Sequence, residues 1–217
     1  MANITSAMVK ELRQATGAGM MDCKKALAEC DADMEKAKEF LRKKGLAAVA
    51  KKSGRIAAEG RLHTYIHGEG KIGVILEVNC ETDFAAKTED FKDLVHQISL
   101  QIAANNPSYI TPDEIPAAII DKEKEIHVAQ LKNEGKPDKI IDKIVEGKIS
   151  KWYQDVCLLH QPYIFEEKQT VEDLMKSVSA KIGEKITVRR FERWELGEGL
   201  EKRVYDLAKE IESELQK

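Results

Sequence analysis

The sequence predicts an α+β fold. It has an N-terminal module of three short helices, then a core with a three-stranded antiparallel sheet, packed helices and an inserted helical-hairpin arm. Three observations carry this reading. Residues 1–55 place apolar side chains at helical spacing between glycines. Two strand-like runs joined by Gly68-Glu69-Gly70 mark a β-hairpin, and Ile186–Leu196 supplies a third strand. Two long charged runs flanking Gly135-Lys136-Pro137 carry narrow apolar seams, as an antiparallel helix pair does.

In the first segment, Thr5 is a helix cap, with Met8, Val9 and Leu12 turned inward and Gly17 and Gly19 ending the helix. Asp22 is expected to open a second helix bearing Ala26 and Leu27. Asp33 caps a third bearing Ala37, Phe40 and Leu41, with Gly45 as its stop signal. Met20 and Met21 sit between the first two helices. Methionine is an adaptable surface side chain, yet one of the pair is expected to plug the small core. Lys43, Lys44, Lys51, Lys52 and Arg55 read as a solvated linker helix.

Next, Arg61–His67 and Lys71–Asn79 read as strands. In the second, Ile72, Val74, Leu76 and Val78 alternate onto one face. Gly68, Gly70 and Gly73 match G-x-G-x-x-G, but a strand rather than a helix follows, so a dinucleotide loop is excluded. Phe91, Leu94, Val95, Ile98 and Ile102 then recur at helical spacing up to Asn105. Asp83 and Phe84 thus fall at a strand-to-helix joint, with Thr82 and Thr88 as caps. An isolated phenylalanine is more often buried than displayed, but an aspartate beside it at such a joint also suits outward presentation.

Thr111-Pro112-Asp113-Glu114 reads as a capping box with proline at the first helical position. The arm follows as 116–133 and 138–151, with Ile119, Ile126 and Ala129 on one seam and Ile141, Ile144 and Val145 on the other. It either projects from the core or packs flat on the sheet. Thr170 caps a helix bearing Val171, Leu174, Met175, Val178 and Ile182 that ends at Gly183, and a last helix is expected over 200–215. The domains are therefore 1–55 (module and linker), 56–197 (core, with 116–151 as the arm) and 198–217 (C-terminal helix).

With 34% charged and only 6% aromatic residues, the chain of 217 fits a helix-rich protein with a charged surface. No apolar run approaches the roughly 18 residues of a membrane span. The start, Met-Ala-Asn-Ile-Thr-Ser, lacks a secretion or transit pattern, so a cytoplasmic location and no membrane partner are expected. Cys23, Cys30, Cys80 and Cys157 form no Cys-x-x-Cys pair and are expected as reduced thiols, with no metal or cofactor. His63 and His67 share a strand face without completing a site. Residues 1–55 hold twelve Lys/Arg and seven Asp/Glu, a surplus of +5 against −3 for the whole chain. A basic module suits an acidic partner, whereas the aromatics that stack nucleic-acid bases are missing from it, so no direct nucleic-acid contact is expected.

Glu81-Thr82-Asp83-Phe84, following a strand that ends in Asn79, resembles the signature of the elongation factor Ts family. The string from Leu12 to Leu27, Gly135-Lys136-Pro137, Val145-Glu146-Gly147-Lys148, Gln161-Pro162-Tyr163, Arg190-Phe191-Glu192 and Gly197–Lys202 resemble the same family, so the likeness spans nearly the whole chain. The first segment is also similar to the ubiquitin-associated fold.

The resemblance implies a nucleotide-exchange factor that binds elongation factor Tu and promotes GDP release without covalent chemistry. Thr82, Asp83, Phe84 and Ala85 would enter the partner beside its magnesium site, while Leu12, Met20 and Met21 dock the module. The family usually has Val where this chain has Ala85, which trims packing beside the motif. Many members carry two related core halves. This chain has room for one, so it looks like the short form, and a homodimer could supply what the second half provides. Two other readings are a passive protein-binding adaptor and an enzyme with Asp83 as a base. No nucleophile–base pair or phosphate loop supports the latter.

Overall fold

The computed structural model describes residues 4–201 and has the expected α+β architecture. The N-terminal module comprises α1 (Ser6–Thr16), α2 (Met20–Glu29) and α3 (Met34–Ala50). Thr5 Oγ1 accepts from the Met8 amide at the start of α1, and Gly17, at φ 66°, closes its end in the left-handed region. Helix α2 begins two residues before Asp22, capped by Gly19. Asp22 therefore lies within the first turn, where its charge faces the positive end of the helix dipole. Asp33 caps α3 as expected.

Gly45, expected as a stop, lies inside α3. A β-carbon there would come within 3.0 Å of the Ala180 β-carbon. The glycine therefore serves a close helix crossing rather than a terminus. Val9, Leu12, Cys23, Ala26, Leu27, Ala37 and Leu41 form the module's core. Neither methionine joins them: Met20 is 53% and Met21 76% exposed. Starting α2 at Met20 turns both side chains outward, and the small core is already filled by Leu12, Cys23 and Leu27.

The chain continues through β1 (Glu59–His67), β2 (Ile72–Cys80), the single-turn α4 (Asp83–Ala86) and α5 (Glu89–Asn105). The arm is α6 (Ala117–Asn133) and α7 (Asp138–Val156). A small hairpin, β3 (Pro162–Tyr163) and β4 (Glu166–Thr170), leads into α8 (Val171–Ile182) and β5 (Ile186–Glu195). The sheet is antiparallel with order β1-β2-β5. Val74, Leu76 and Val78 on its inner face are buried against Phe91, Leu94, Val95, Ile98 and Ile102 of α5 and against Val171 and Met175 of α8. Thr170 and Asp173 form a capping box at the start of α8. The four cysteines are free thiols. The C-terminal helix expected over 200–215 lies, beyond Glu201, outside the described residues.

On the outer face, a bulge at Glu77/Val78 lets Arg189 and Arg190 both reach the Glu77 carboxylate, at 2.8 and 2.7 Å. Their hydrogen bonds lower its pKa from 4.5 to about 2. A depressed carboxyl stabilises the fold fully above its ordinary range, and that contribution is lost as pH falls through the folded value. Glu77→Gln should therefore lose stability relative to the parent at pH 6 and converge with it toward pH 2. Urea unfolding followed by circular dichroism across that range checks this.

The arm has a separate core of Leu131, Ile141, Val145 and Ile149, supported by Val128, Ile144, Trp152 and Tyr153. The seam expected on α6 is displaced: Ile119 and Ile126 are each 42% exposed and Ala129 is exposed. The stripe that faces α7 instead runs through Val128 and Leu131, a rotation that a short apolar pattern does not specify. Thr111 makes no capping bond, and Pro112–Glu114 is a single 3₁₀ turn in which the Glu114 carboxylate accepts from the Ile110 amide at 2.8 Å. At the arm's base, the Ser108 and Tyr109 amides donate to Val156 O at 2.9 and 3.0 Å. The Leu158 amide donates back to Tyr109 O at 2.8 Å.

Candidate functional site

Strand β2 stops at Cys80, and the chain turns through Glu81 and Thr82 into α4. Thr82 is extended (φ −130°, ψ 154°), and its Oγ1 accepts from the Ala85 amide at 3.2 Å, which starts the helical turn. Thr88 repeats the device one turn later: its hydroxyl donates to Ala85 O at 2.7 Å and accepts from the Phe91 amide at 3.3 Å. Two caps six residues apart force the backbone to change direction twice. Between them the turn buries one side and displays the other. Ala85 and Ala86 are 5% and 8% exposed and pack on the core beside Phe91. Phe84 points away and is 78% exposed.

Standing this far out of the core, the Phe84 ring gains little from folding. Lys87 leans over it, with Nζ 5.7 Å from the ring centroid and 2.6 Å from Asp83 Oδ2. The hydrogen bond from Lys87 holds the Asp83 carboxyl below the usual aspartate range, so Asp83 is an anion at neutral pH. The turn thus presents an apolar ring and a carboxylate side by side. Cys80 beneath it is inert: burial pushes its thiol up to about 11, and Sγ donates to Thr82 O at 3.1 Å.

Glu184, which the sequence reading did not single out, braces the turn from below. Its carboxylate accepts from the Glu81 and Thr82 amides at 3.1 and 3.0 Å and from the Thr82 hydroxyl at 2.6 Å. A lone glutamate in a charged chain carries no local signal of such a role.

The structure thus brings Thr82, Asp83, Phe84 and Ala85 together in one turn, with Ala85 facing inward. Met20 and Met21 stand exposed on the separate N-terminal module, which rests on α8 through the Gly45–Ala180 contact. Leu12, expected beside them as a docking residue, is fully buried. It packs in the module's core, behind the exposed methionines. Among the described residues no cluster of three or more His, Cys, Asp or Glu is placed to hold a metal, and no helix is long and apolar enough to cross a membrane.

A family model described as Elongation factor TS matches residues 3–198. The chain belongs to the elongation factor Ts family. Proteins named Elongation factor Ts from Desulforamulus reducens and Heliobacterium modesticaldum are 60% and 58% identical to it. The first alignment covers 99% of both chains, the second 99% of this chain and 100% of the relative. One from Moorella thermoacetica is 58% identical over 91% of this chain and 97% of its own length. Coverage this complete on both sides means that these elongation factor Ts relatives match the chain in length and share its short form. Membership places the protein among the translation elongation factors.

Proposed function

We propose that this protein is a guanine-nucleotide exchange factor that binds elongation factor Tu and promotes GDP release by disturbing its magnesium and phosphate site. One observation carries the reading: Phe84 is displayed, not buried, on a turn whose backbone is fixed from both ends. Phe84 inserts between partner side chains near the magnesium-binding elements, and the Asp83 anion hydrogen-bonds beside it. Met20 and Met21 dock the module of residues 1–55, and the arm and core hold a second surface. No bond of the nucleotide is broken. The factor and the nucleotide weaken each other's binding by the same ratio, which is the linkage an exchange factor requires. Magnesium demands near-ideal oxygen geometry, so a small displacement in the partner suffices to loosen it.

Stopped-flow release of fluorescent GDP from elongation factor Tu, with this protein in catalytic amount, tests the reading. Many nucleotides released per molecule added are expected. Stoichiometric binding with an unchanged off-rate would make it a passive adaptor instead.

We further propose that two copies pair through the outer face of the sheet. Leu62, Ile66, Ile75 and Trp194 are 66%, 65%, 42% and 53% exposed there. Ile66 and Trp194 flank Gly73 in one cross-strand row, so at the end of the face beside the hairpin turn the middle strand carries no side chain. Thr64, Glu77, Arg190 and Glu192 lie among these apolar residues, so the face mixes apolar and charged side chains, as an interface with a second protein surface does. The expected mass by light scattering is that of a dimer, reduced to a monomer by Ile75→Lys. A wild-type monomer at about 50 micromolar, in the range of weak interfaces, would refute the pairing.

A further inference from the structure

We propose that Glu81 and Glu184 are positioning residues for Phe84, and that through Arg55 and Lys185 they lock the Phe84 turn to the segment leaving the N-terminal module. The inference rests on the exchange reading above and adds residues to it.

The last ladder pair between β2 and β5 is Cys80 with Ile186. Beyond it the two chains would splay, and there the side chains take over. Glu184 reaches across to the amides of Glu81 and Thr82. Glu81 reaches back to the Lys185 amide at 2.7 Å. Each carboxylate thus binds the backbone that carries the other, a reciprocal clasp of charge-assisted bonds. Both extend the sheet's rigidity into the turn that bears Phe84.

The same clasp holds the linker. Glu81 also accepts from Arg55 Nη1 at 3.0 Å, and the Lys185 ammonium donates to Ser53 O and Arg55 O at 2.6 and 2.9 Å. Lys52 Nζ donates to Gly183 O. Residues 52–55, 81–82 and 183–185, remote in sequence, therefore form one bonded unit. Its outer end carries Phe84 and its other end continues into α3. A partner gripping the module then meets Phe84 at a fixed offset. Positional error of about an ångström in a reacting group is costly, up to roughly a hundredfold in rate.

The test uses the full-length protein. Glu184→Ala should lower the saturating rate of GDP release from elongation factor Tu by about tenfold, which corresponds to about 1.4 kcal/mol. The half-saturating concentration should change by less than about twofold, because the docking surfaces remain. Glu184→Gln, which keeps an acceptor oxygen but loses the charge, should fall between the two. Amide hydrogen exchange at Glu81 and Thr82 should quicken in the same order. Arg55→Met and Lys185→Met alter partly exposed side chains outside the cores, and each should lower the saturating rate without lowering the unfolding midpoint. Saturating rates equal to wild type in Glu184→Ala, or a loss confined to half-saturation, would overturn the clasp as a positioning device while leaving the exchange reading intact. A wild-type protein that releases no GDP would overturn the exchange reading instead, yet protected Glu81 and Thr82 amides would still report the clasp.

Discussion

In Phe84→Ala, the maximal rate of GDP release from elongation factor Tu is expected to fall by between about tenfold and a hundredfold, with little change in the unfolding midpoint. Fully burying a phenylalanine side chain is worth about 1.5–3 kcal/mol, and each ~1.4 kcal/mol in a barrier is a factor of ten. If the ring is buried only when it enters the partner, that whole term is lost from the encounter. Little is lost from the fold, because the ring is 78% exposed and meets the Lys87 ammonium at its face. An exposed contact of that type contributes about 0.5–1 kcal/mol. Stopped-flow release at saturating factor measures the first effect and thermal unfolding the second. Equal release by parent and variant would remove Phe84 from the mechanism.

Phe91→Ala should do the reverse. Phe91 is fully buried seven residues further on, in the cluster that holds Ala85, Ala86, Leu76 and Val95. Truncating a buried phenylalanine costs about 3–5 kcal/mol, counting the cavity left behind. For a chain of this size that corresponds to a midpoint lowered by roughly 6–20 °C. Protein still folded at low temperature should retain most of its exchange activity per folded molecule, since the displayed ring is untouched. Calorimetry together with release kinetics at 10 °C separates the two quantities. A midpoint within about 2 °C of the parent would show that the core closes around the gap.

The contrast between these two phenylalanines shows how far the sequence could be read. Phe91 belongs to a stripe with Leu94, Val95, Ile98 and Ile102, so periodicity alone placed it inside. Phe84 belongs to no stripe; the change from strand period before it to helical period after it, with Thr82 and Thr88 as caps, places it at a corner. The hairpin, the caps of α1, α3, α5 and α8, and the break at Gly135-Lys136-Pro137 were readable because each is set by residues within a few positions of one another. What escaped depends on distant partners. Gly45 looks like a terminator until α8 is seen lying across it. Leu12 looks available beside Met20 until the module's core closes over it. The rotation of α6 hinges on which of several equivalent apolar residues meets α7. The short β3–β4 pair is polar and too brief to alternate. Glu184 acts more than a hundred residues from the turn it braces, across a ladder that only the folded sheet creates.

The joint where the arm leaves the body has a topological consequence. Ser108 and Tyr109 on the outgoing side are bonded directly to Val156 and Leu158 on the returning side, so the body's backbone is sealed across the gap before the arm begins. The arm brings its own apolar interior and takes none from the sheet's cluster. It is an insertion of the kind a lineage can lengthen, shorten or exchange without renegotiating the rest of the architecture, much as a tool is changed in a fixed handle.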